Sequence, residues 1–397
     1  MMVKIIKPKN KGGALVLMTG IGVAMMILSL TIILLGGHGR LIAARTGQKV
    51  RARTAADAGM VDAIFKMNKK LIDEAVWDNS TLPSASISFA ETPVSFNYSV
   101  SGLPSTSFTI TSTGTSGITQ ENVYAILAVG SYWKGIGVKE NVDIKLGTEF
   151  STIPEGGDIQ IRTNSIEANA MRFKAFVSIP GDVIYGHGGD EETVVDTKAT
   201  TVIEGATYEA EEPLLFPPVS PPDPPLPYQG SINASGQITG DGQYDMIDIP
   251  QSGLLEVTAP STIYITGNAV GVAMILGQDS QLVIKAGASL NLYLGGNLED
   301  KNSMGLYNEN PQADTFKIFG LPTCTQMDLK AKSDLYAAIY APDAVINLFN
   351  SGTFTGAIVG NSFYMKNSGV FIYDTSLAYG FIDDPAAVFD LVRWWED

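Results

Sequence analysis

Cysteine is almost missing from this chain: Cys324 is the only one in 397 residues, so no disulfide within the chain can hold the fold. Histidine is nearly as scarce. His38 and His187 are the whole supply, which excludes metal sites built on several imidazoles and restricts any His-dependent nucleophilic mechanism to those two positions. Between residues 54 and 392 the only arginines are Arg162 and Arg172, few tools for gripping anionic sugars or phosphates. No Gly-x-Ser-x-Gly elbow, phosphate-cradling Gly-Lys-Ser/Thr loop or Cys-x-x-Cys pair occurs. Charged residues make up 17% of the chain and hydrophobic ones 45%, a balance far from that of disordered proteins. The length allows two or three domains.

What charge there is divides sharply. Residues 1 to 70 carry 12 of the 26 basic residues against Asp57 and Asp62, a net of +10, which leaves −25 on the remaining 327. Within the basic part, Ala14 to Leu35 is an uncharged run of 22 residues, long enough as a helix to cross a hydrocarbon layer of about 30 Å. Leu15, Val16, Leu17, Ile27, Leu28, Leu30, Ile32, Ile33, Leu34 and Leu35 are its anchoring side chains. A cleaved secretory signal has a shorter apolar core than this. Beyond Gly36, Gly37 and Gly39, the apolar positions Thr54, Ala58, Val61, Phe65 and Ile72 follow helical steps, so the spacing predicts one face of a helix continuing to residue 76. Lys4, Lys7, Lys9 and Lys11 precede the span, and Arg40, Arg45, Lys49, Arg51 and Arg53 follow it. Charge bias therefore leaves orientation nearly tied. Basic side chains snorkelling to lipid headgroups explain the second cluster without nucleic acid.

Lys11-Gly12-Gly13-Ala14-Leu15-Val16-Leu17, the apolar span, and Ala55-Ala56-Asp57-Ala58-Gly59 together resemble the N-terminal segment of PilX-type minor pilins and related pilin-like proteins. The resemblance covers about 70 residues. It implies a basic leader over residues 1–13, processing at the Gly13–Ala14 bond, a membrane-embedded helix that also packs against other pilin-like subunits, and a body outside the bacterial inner membrane. Where the family carries a glutamate five residues into the mature chain, this sequence has Met18.

From Ser84 the periodicity changes to two: Phe96, Tyr98 and Val100, then Phe108 and Ile110, then Val142, Ile144 and Leu146 alternate with polar residues. Thr111 to Thr119 reads as a hairpin or loop, and Val123 to Val129 as a central strand. A helix followed by a small antiparallel sheet also resembles pilin-like proteins. Beyond residue 155, short apolar strands recur among Gly, Asn and Asp, and four stretches align at a spacing of 19. These are Asp182-Gly186 with Thr201-Gly205, Ala338-Ile339 with Ala357-Ile358, Ile265 with Ile284, and Ile346 with Met365. Such a set suits a β-solenoid, with Leu290, Leu292 and Leu294 pointing inward; an antiparallel sandwich is the competing reading. Eight of the chain's 20 prolines fall between Pro213 and Pro227, an extended polyproline spacer that interrupts the array. Pro385 to Asp397 places Val388, Leu391, Val392 and Trp395 on one helical face, as in a capping helix. Leu335 to Pro342, Phe354 to Val359 and Phe371 to Asp374 are similar to an uncharacterised β-rich C-terminal domain that accompanies pilin-like N-termini in bacterial surface proteins.

Carboxylates that could hold Ca²⁺ or serve a glycosidase are thin: Asp190-Glu191-Glu192 beside His187, Asp241 with Asp245 and Asp248, and Glu299-Asp300, none at EF-hand spacing. Cys324 reads as a small buried residue. The expected fold is mainly β with a long N-terminal transmembrane α-helix, a small pilin-like antiparallel sheet and a right-handed β-solenoid of about 19-residue coils. The expected order is leader 1–13, helix 14–76, pilin-like sheet 84–150, solenoid 155–382 interrupted at 213–227, and capping helix 385–397. The expected function is a single-pass, inner-membrane-anchored envelope protein with its body on the periplasmic or extracellular side. It is structural or adhesive, non-enzymatic, without cofactor, metal or nucleic acid. Membrane lipid and other pilin-like subunits are the expected partners, and the surface ligand is open. The alternatives are a membrane-tethered carbohydrate-active β-helix enzyme and a pseudopilin-like secretion component.

Overall fold

The structure is a computed structural model. It describes residues 13–73, 77–90, 92–103, 107–211, 213–214, 216–301, 304–330, 334–349, 352–366, 368–378 and 387–396, with side chains in the first helix from Val23 on, except Ile32, Ile72 and Asp73. The leader 1–12 and the side chains of Ala14, Leu15, Val16, Leu17, Met18 and Ile32 lie outside the described part.

Helix α1 (Gly13–Asp73) has 61 residues and is roughly 90 Å long at the α-helical rise. Its described side chains from Val23 to Gly47 are exposed; from Gln48 onward it lies on an antiparallel sheet. The buried side is Ala52, Ala56, Met60, Ala63 and Met67, at steps of three and four, with Ala55 beside them. The small residues are what allow close approach. A Cβ on Gly114 of the sheet would run into the carbonyl oxygen of Ala52, and one on Gly59 of the helix into Ser112 Oγ and Phe96. The Ser112 hydroxyl uses that proximity to donate to the Ala56 carbonyl at 2.7 Å. The helix expected from that spacing is present to Asp73, and its marked face is the outer one: Thr54, Ala58, Val61 and Phe65 point to solvent, and residues 74–76 and the Ile72 side chain lie outside the described part.

The sheet comprises β1 (Ser84–Ser88), β2 (Val94–Leu103), β3 (Ser107–Ser116), β4 (Thr119–Ser131) and the C-terminal strand Ala387–Glu396, which pairs antiparallel with β4. Thr111 to Ser116, expected as a turn, belongs to β3. The C-terminal segment is not the expected capping helix. Its Ala387 and Phe389 face inward in strand alternation, Phe389 N–H donates to Asn68 of the helix at 2.9 Å, and Phe389 meets Trp77 and Phe108 edge-on. Pairing with β4 and burial of Phe389 outweigh a helical pattern that would have buried little.

From Gly135 to Asp374 the body is a closed, barrel-like arrangement of parallel strands around one core. The parallel body thus starts earlier than expected, and Val142 and Ile144 belong to it rather than to the pilin-like sheet. Each circuit of chain contributes one aliphatic residue to a column: Ile263, Leu292, Ile318, Ile339, Ile358, Ile136, Ile161 and Val183 stack in register. Burying each stabilises by about 1.5–3 kcal/mol. Phe354, Phe371 and Phe150 form a second column, with centroids 5.2 and 5.5 Å apart. Of the four aligned stretches only Ala338 with Ala357 pairs at the expected 19-residue spacing, a spacing that also recurs where Met327 meets Ile346 and Ile238 meets Val257. Asp182–Tyr185 pairs with Thr207–Glu209, Ile346 pairs with Phe363, and Ile265 and Ile284 lie in different ladders. Turn lengths vary: one circuit separates Phe354 from Phe371 and Ile263 from Leu292, 17 and 29 residues respectively.

The order of circuits in space is not their order in sequence. The strands between Gly135 and Glu209 stack on the last circuit of the later segment, with Ile136 beside Ile358 and Val142 beside Phe363. After Glu209 the chain must therefore return along the whole stack to begin again at Tyr228. The first ladder is ten strand-to-strand steps deep, about 48 Å, and the proline-rich stretch 210–227 covers about 55 Å in polyproline geometry. It runs as a strap. Leu214 N–H donates to Asn164 Oδ1 at 2.8 Å, Phe216 packs against Tyr132, Pro217 carbonyl accepts from Tyr340 Oη at 2.9 Å, and Val219 is buried.

Candidate assembly surface on the N-terminal helix

From Val23 to Gly47 no described side chain of α1 is buried, although most are apolar. Ile27, Leu28, Leu30, Ile33, Leu34 and Leu35 all stand exposed, as an anchor requires. The helix is long and apolar enough to cross a membrane. Residues 13 to 47 reach roughly 50 Å from the body, about 20 Å more than a hydrocarbon core needs. Leu41, Ile42 and Val50 lie in or just beyond that surplus, and they too are exposed.

The apolar exposure continues alongside the body. Val50, Thr54, Ala58, Val61 and Phe65 recur at steps of three and four on the side of α1 opposite the sheet, with Val61 58% and Phe65 62% exposed. The periodicity that marks the helix in the sequence belongs to this outer stripe. Two apolar faces on one helix cannot be ranked from spacing alone; the alanines and Gly59 mark the face that meets a sheet, because only small residues permit that approach.

Ionic contacts fix the helix on its sheet. Arg53 Nε meets Asp57 Oδ1 at 2.9 Å and its guanidinium also meets Glu396 of the C-terminal strand. Lys49 reaches Glu121 at 3.7 Å. Tyr98 Oη donates to Asp62 Oδ2 at 2.9 Å, and Lys66 Nζ lies 3.2 Å from the same oxygen. The Asp62 hydrogen bond holds Lys66 above its ordinary range. Burial first, then Asp62, raises the Tyr98 phenol. Lys70, almost buried, donates to Thr81 Oγ1 at 2.6 Å and lies over the Trp77 ring.

The carboxylates considered for chemistry are scattered and mostly engaged. Asp190 caps a short helical turn by accepting from Thr193 N–H and Oγ1, and His187 Nδ1 lies 3.0 Å from Glu209. Asp241 accepts from Thr262 N–H, Asp245 from Tyr228 Oη, and Asp300 from Lys330 N–H. Among the described residues no group of three or more His, Cys, Asp or Glu is placed to hold a metal ion. Cys324 is buried and its thiol is pushed up to about 12 by desolvation.

Residues 232–379 match a domain of unknown function, DUF7305. The match spans the later circuits of the parallel body and not the Gly135–Glu209 strands stacked on them. No curated protein matches the chain. Among solved structures, the competence-associated pilin ComZ from Thermus thermophilus is similar at 11% identity and a TM-score of 0.30, over 88% of this chain and 97% of that one.

Proposed function

We propose that this chain is a non-enzymatic, pilin-like envelope protein, held in the bacterial inner membrane by a single pass of α1. Its body stands on the periplasmic or extracellular side, in a structural or adhesive role within a pilus or secretion assembly. The observation that carries this reading is the continuous apolar exposure of α1, from the lipid-length segment through Val61 and Phe65. The N-terminal segment's resemblance to PilX-type pilins supports other pilin-like subunits as the partners of the outer stripe. The structural engagement of most of the carboxylates considered supports a role without catalysis. For the body, the right-handedness of nearly all parallel crossovers supports a right-handed β-solenoid winding.

The test expresses the full chain in a host with prepilin peptidase. Flotation with inner-membrane vesicles, a mature N-terminus at Ala14, and loss of self- or partner crosslinking in V61D/F65D without loss of membrane binding are expected. A chain that stays in the soluble fraction sinks the anchor. An intact leader, or crosslinking indifferent to the stripe, sinks the pilin-like assembly.

A further inference from the structure

Stacking assembles a row that the sequence disperses. In the second ladder of the parallel body, the residue that ends each strand is paired in register with its neighbour one circuit away. The next residue begins the corner turn. Read along the stack these are Lys301, Lys330, Phe349, Lys366, Lys145, Lys174 and Lys198. The register follows from the flanking pairs and from Phe349 N–H donating to Leu329, Lys366 N–H to Leu348 and Lys174 N–H to Ile144. With Arg172 beside it, this edge collects seven of the fourteen basic residues that follow residue 70, on a body whose net charge is −25. The row is six strand spacings long, roughly 29 Å.

Neighbouring carboxylates do not cancel it. The adjacent outward column holds Glu299, Asp328, Asp143 and Asp196, and Asp300 lies 3.7 Å from Lys330, five negative charges against seven positive. Asp328 already accepts from Asn347 and Gln326, and Asp196 from Lys198. Lys330 is tied to the Asp300 carbonyl and lies over Phe349, and Lys366 lies over the Tyr364 ring at 4.3 Å. Among the described residues Lys145, Lys174 and Lys301 make no side-chain hydrogen bond or ion pair, although the Lys174 charge is felt at Asp196. Lys301 and Lys330, and beyond Phe349 the run Lys366, Lys145, Lys174 and Lys198, start from backbone positions about 5 Å apart and repel their neighbours, and a partner with matching negative charges relieves that repulsion.

We propose that this lysine column is a docking surface for an extended acidic polysaccharide of the polyuronate class. Such a chain presents one carboxylate per sugar along a line, and the column presents a cation at six of its seven circuits along a line. Nucleic acid fits less well. Phosphate recognition favours the bidentate arginine fork, and single strands need free aromatic rings for base stacking. Here one arginine is present and the rings of Phe349 and Tyr364 already lie under lysines. The proposal gives a substrate class to the adhesive role but does not depend on processing or on the anchor, so each can fail alone.

The test uses the full chain in zwitterionic nanodiscs and polygalacturonate as the probe, with dextran and single-stranded DNA as controls. Binding at low salt is expected, weakening steeply with added salt, and about tenfold weaker in K145Q/K174Q/K301Q. A control variant, K134Q/K139Q/K285Q, removes lysines lying off the column and is expected to stay within about twofold. Circular dichroism melts confirm that both variants fold. No binding at low salt overturns the proposal, as does equal loss in the control variant. Tighter binding of DNA than of polygalacturonate overturns it in favour of a phosphate polymer. Salt-labile self-association that K145Q/K174Q/K301Q abolishes, without polygalacturonate binding, overturns it in favour of a second copy of the chain.

Discussion

The phenol of Tyr340 donates to the carbonyl of Pro217 across 2.9 Å, joining a fully buried core strand to a strap 123 residues earlier in the chain. Tyr340→Phe removes that hydrogen bond while keeping the ring, so the expected cost is about 1 kcal/mol. Thermolysin should then nick the strap between Leu214 and Leu226 faster than in the parent. Unchanged protection would mean that Asn164, Phe216 and Val219 hold the strap down without it.

Helix and sheet approach most closely where Gly114 faces Ala52. Gly114→Ala puts a methyl against backbone that cannot step aside, and about 1–3 kcal/mol of destabilisation is expected. Gly47→Ala, on the exposed helix with open space around it, should instead stabilise by up to about 1 kcal/mol. Thermal melts of the two variants in detergent should therefore shift in opposite directions.

Cys324 should resist alkylation in the folded chain. Its thiol is buried and titrates near 12, so the thiolate is nearly absent at pH 8. Iodoacetamide is expected to label it only after denaturant is added, a comparison that mass spectrometry reads directly.

Lys285 lies against Glu309, whose carboxylate also accepts from Ala286 N–H. The lysine first, and that N–H second, hold the Glu309 carboxyl below its ordinary range. A depressed carboxylate adds stability that is complete above the unfolded value near 4.5 and disappears as pH falls through the folded value. The melting difference between the parent and Glu309→Gln should thus be full at pH 7 and shrink toward zero in strong acid. A difference that persists at low pH would assign the pair's role to packing.

Local patterns were legible where one interaction dominates. An uncharged run such as Ala14 to Leu35 has few uses, and eight prolines between 213 and 227 leave only an extended chain. The alternation of Phe96, Tyr98 and Val100, and of Phe108 and Ile110, correctly marked inward strand positions. The failures all involve partners distant in sequence. The spacing of Val61 and Phe65 marks a helix but not which side meets the sheet, which the close approach of Gly59 and Gly114 decides. The segment from Ala387 becomes a strand because β4 offers it an edge. A fixed 19-residue repeat cannot survive corners of unequal length, so Ile265 and Ile284 align in sequence yet pair elsewhere. The lysine column was hidden for the same reason, since Lys145 meets Lys366 only through the stacking of early strands on late ones.

That stacking also governs how the protein can be made. Ser368 bonds to the Leu146 carbonyl, and Thr375 to the Ile153 carbonyl, each across 222 residues of chain. A nascent chain emerges with Gly135–Glu209 first, and one open strand edge of that segment has no permanent neighbour until residues beyond Thr353 have been synthesised. Such long-range closure is slow, and an unpaired parallel edge is open to misassociation while it waits. Biogenesis should therefore be the step most sensitive to holdase chaperones, and C-terminal truncation before Thr353 should leave the early strands aggregation-prone instead of releasing a smaller soluble body.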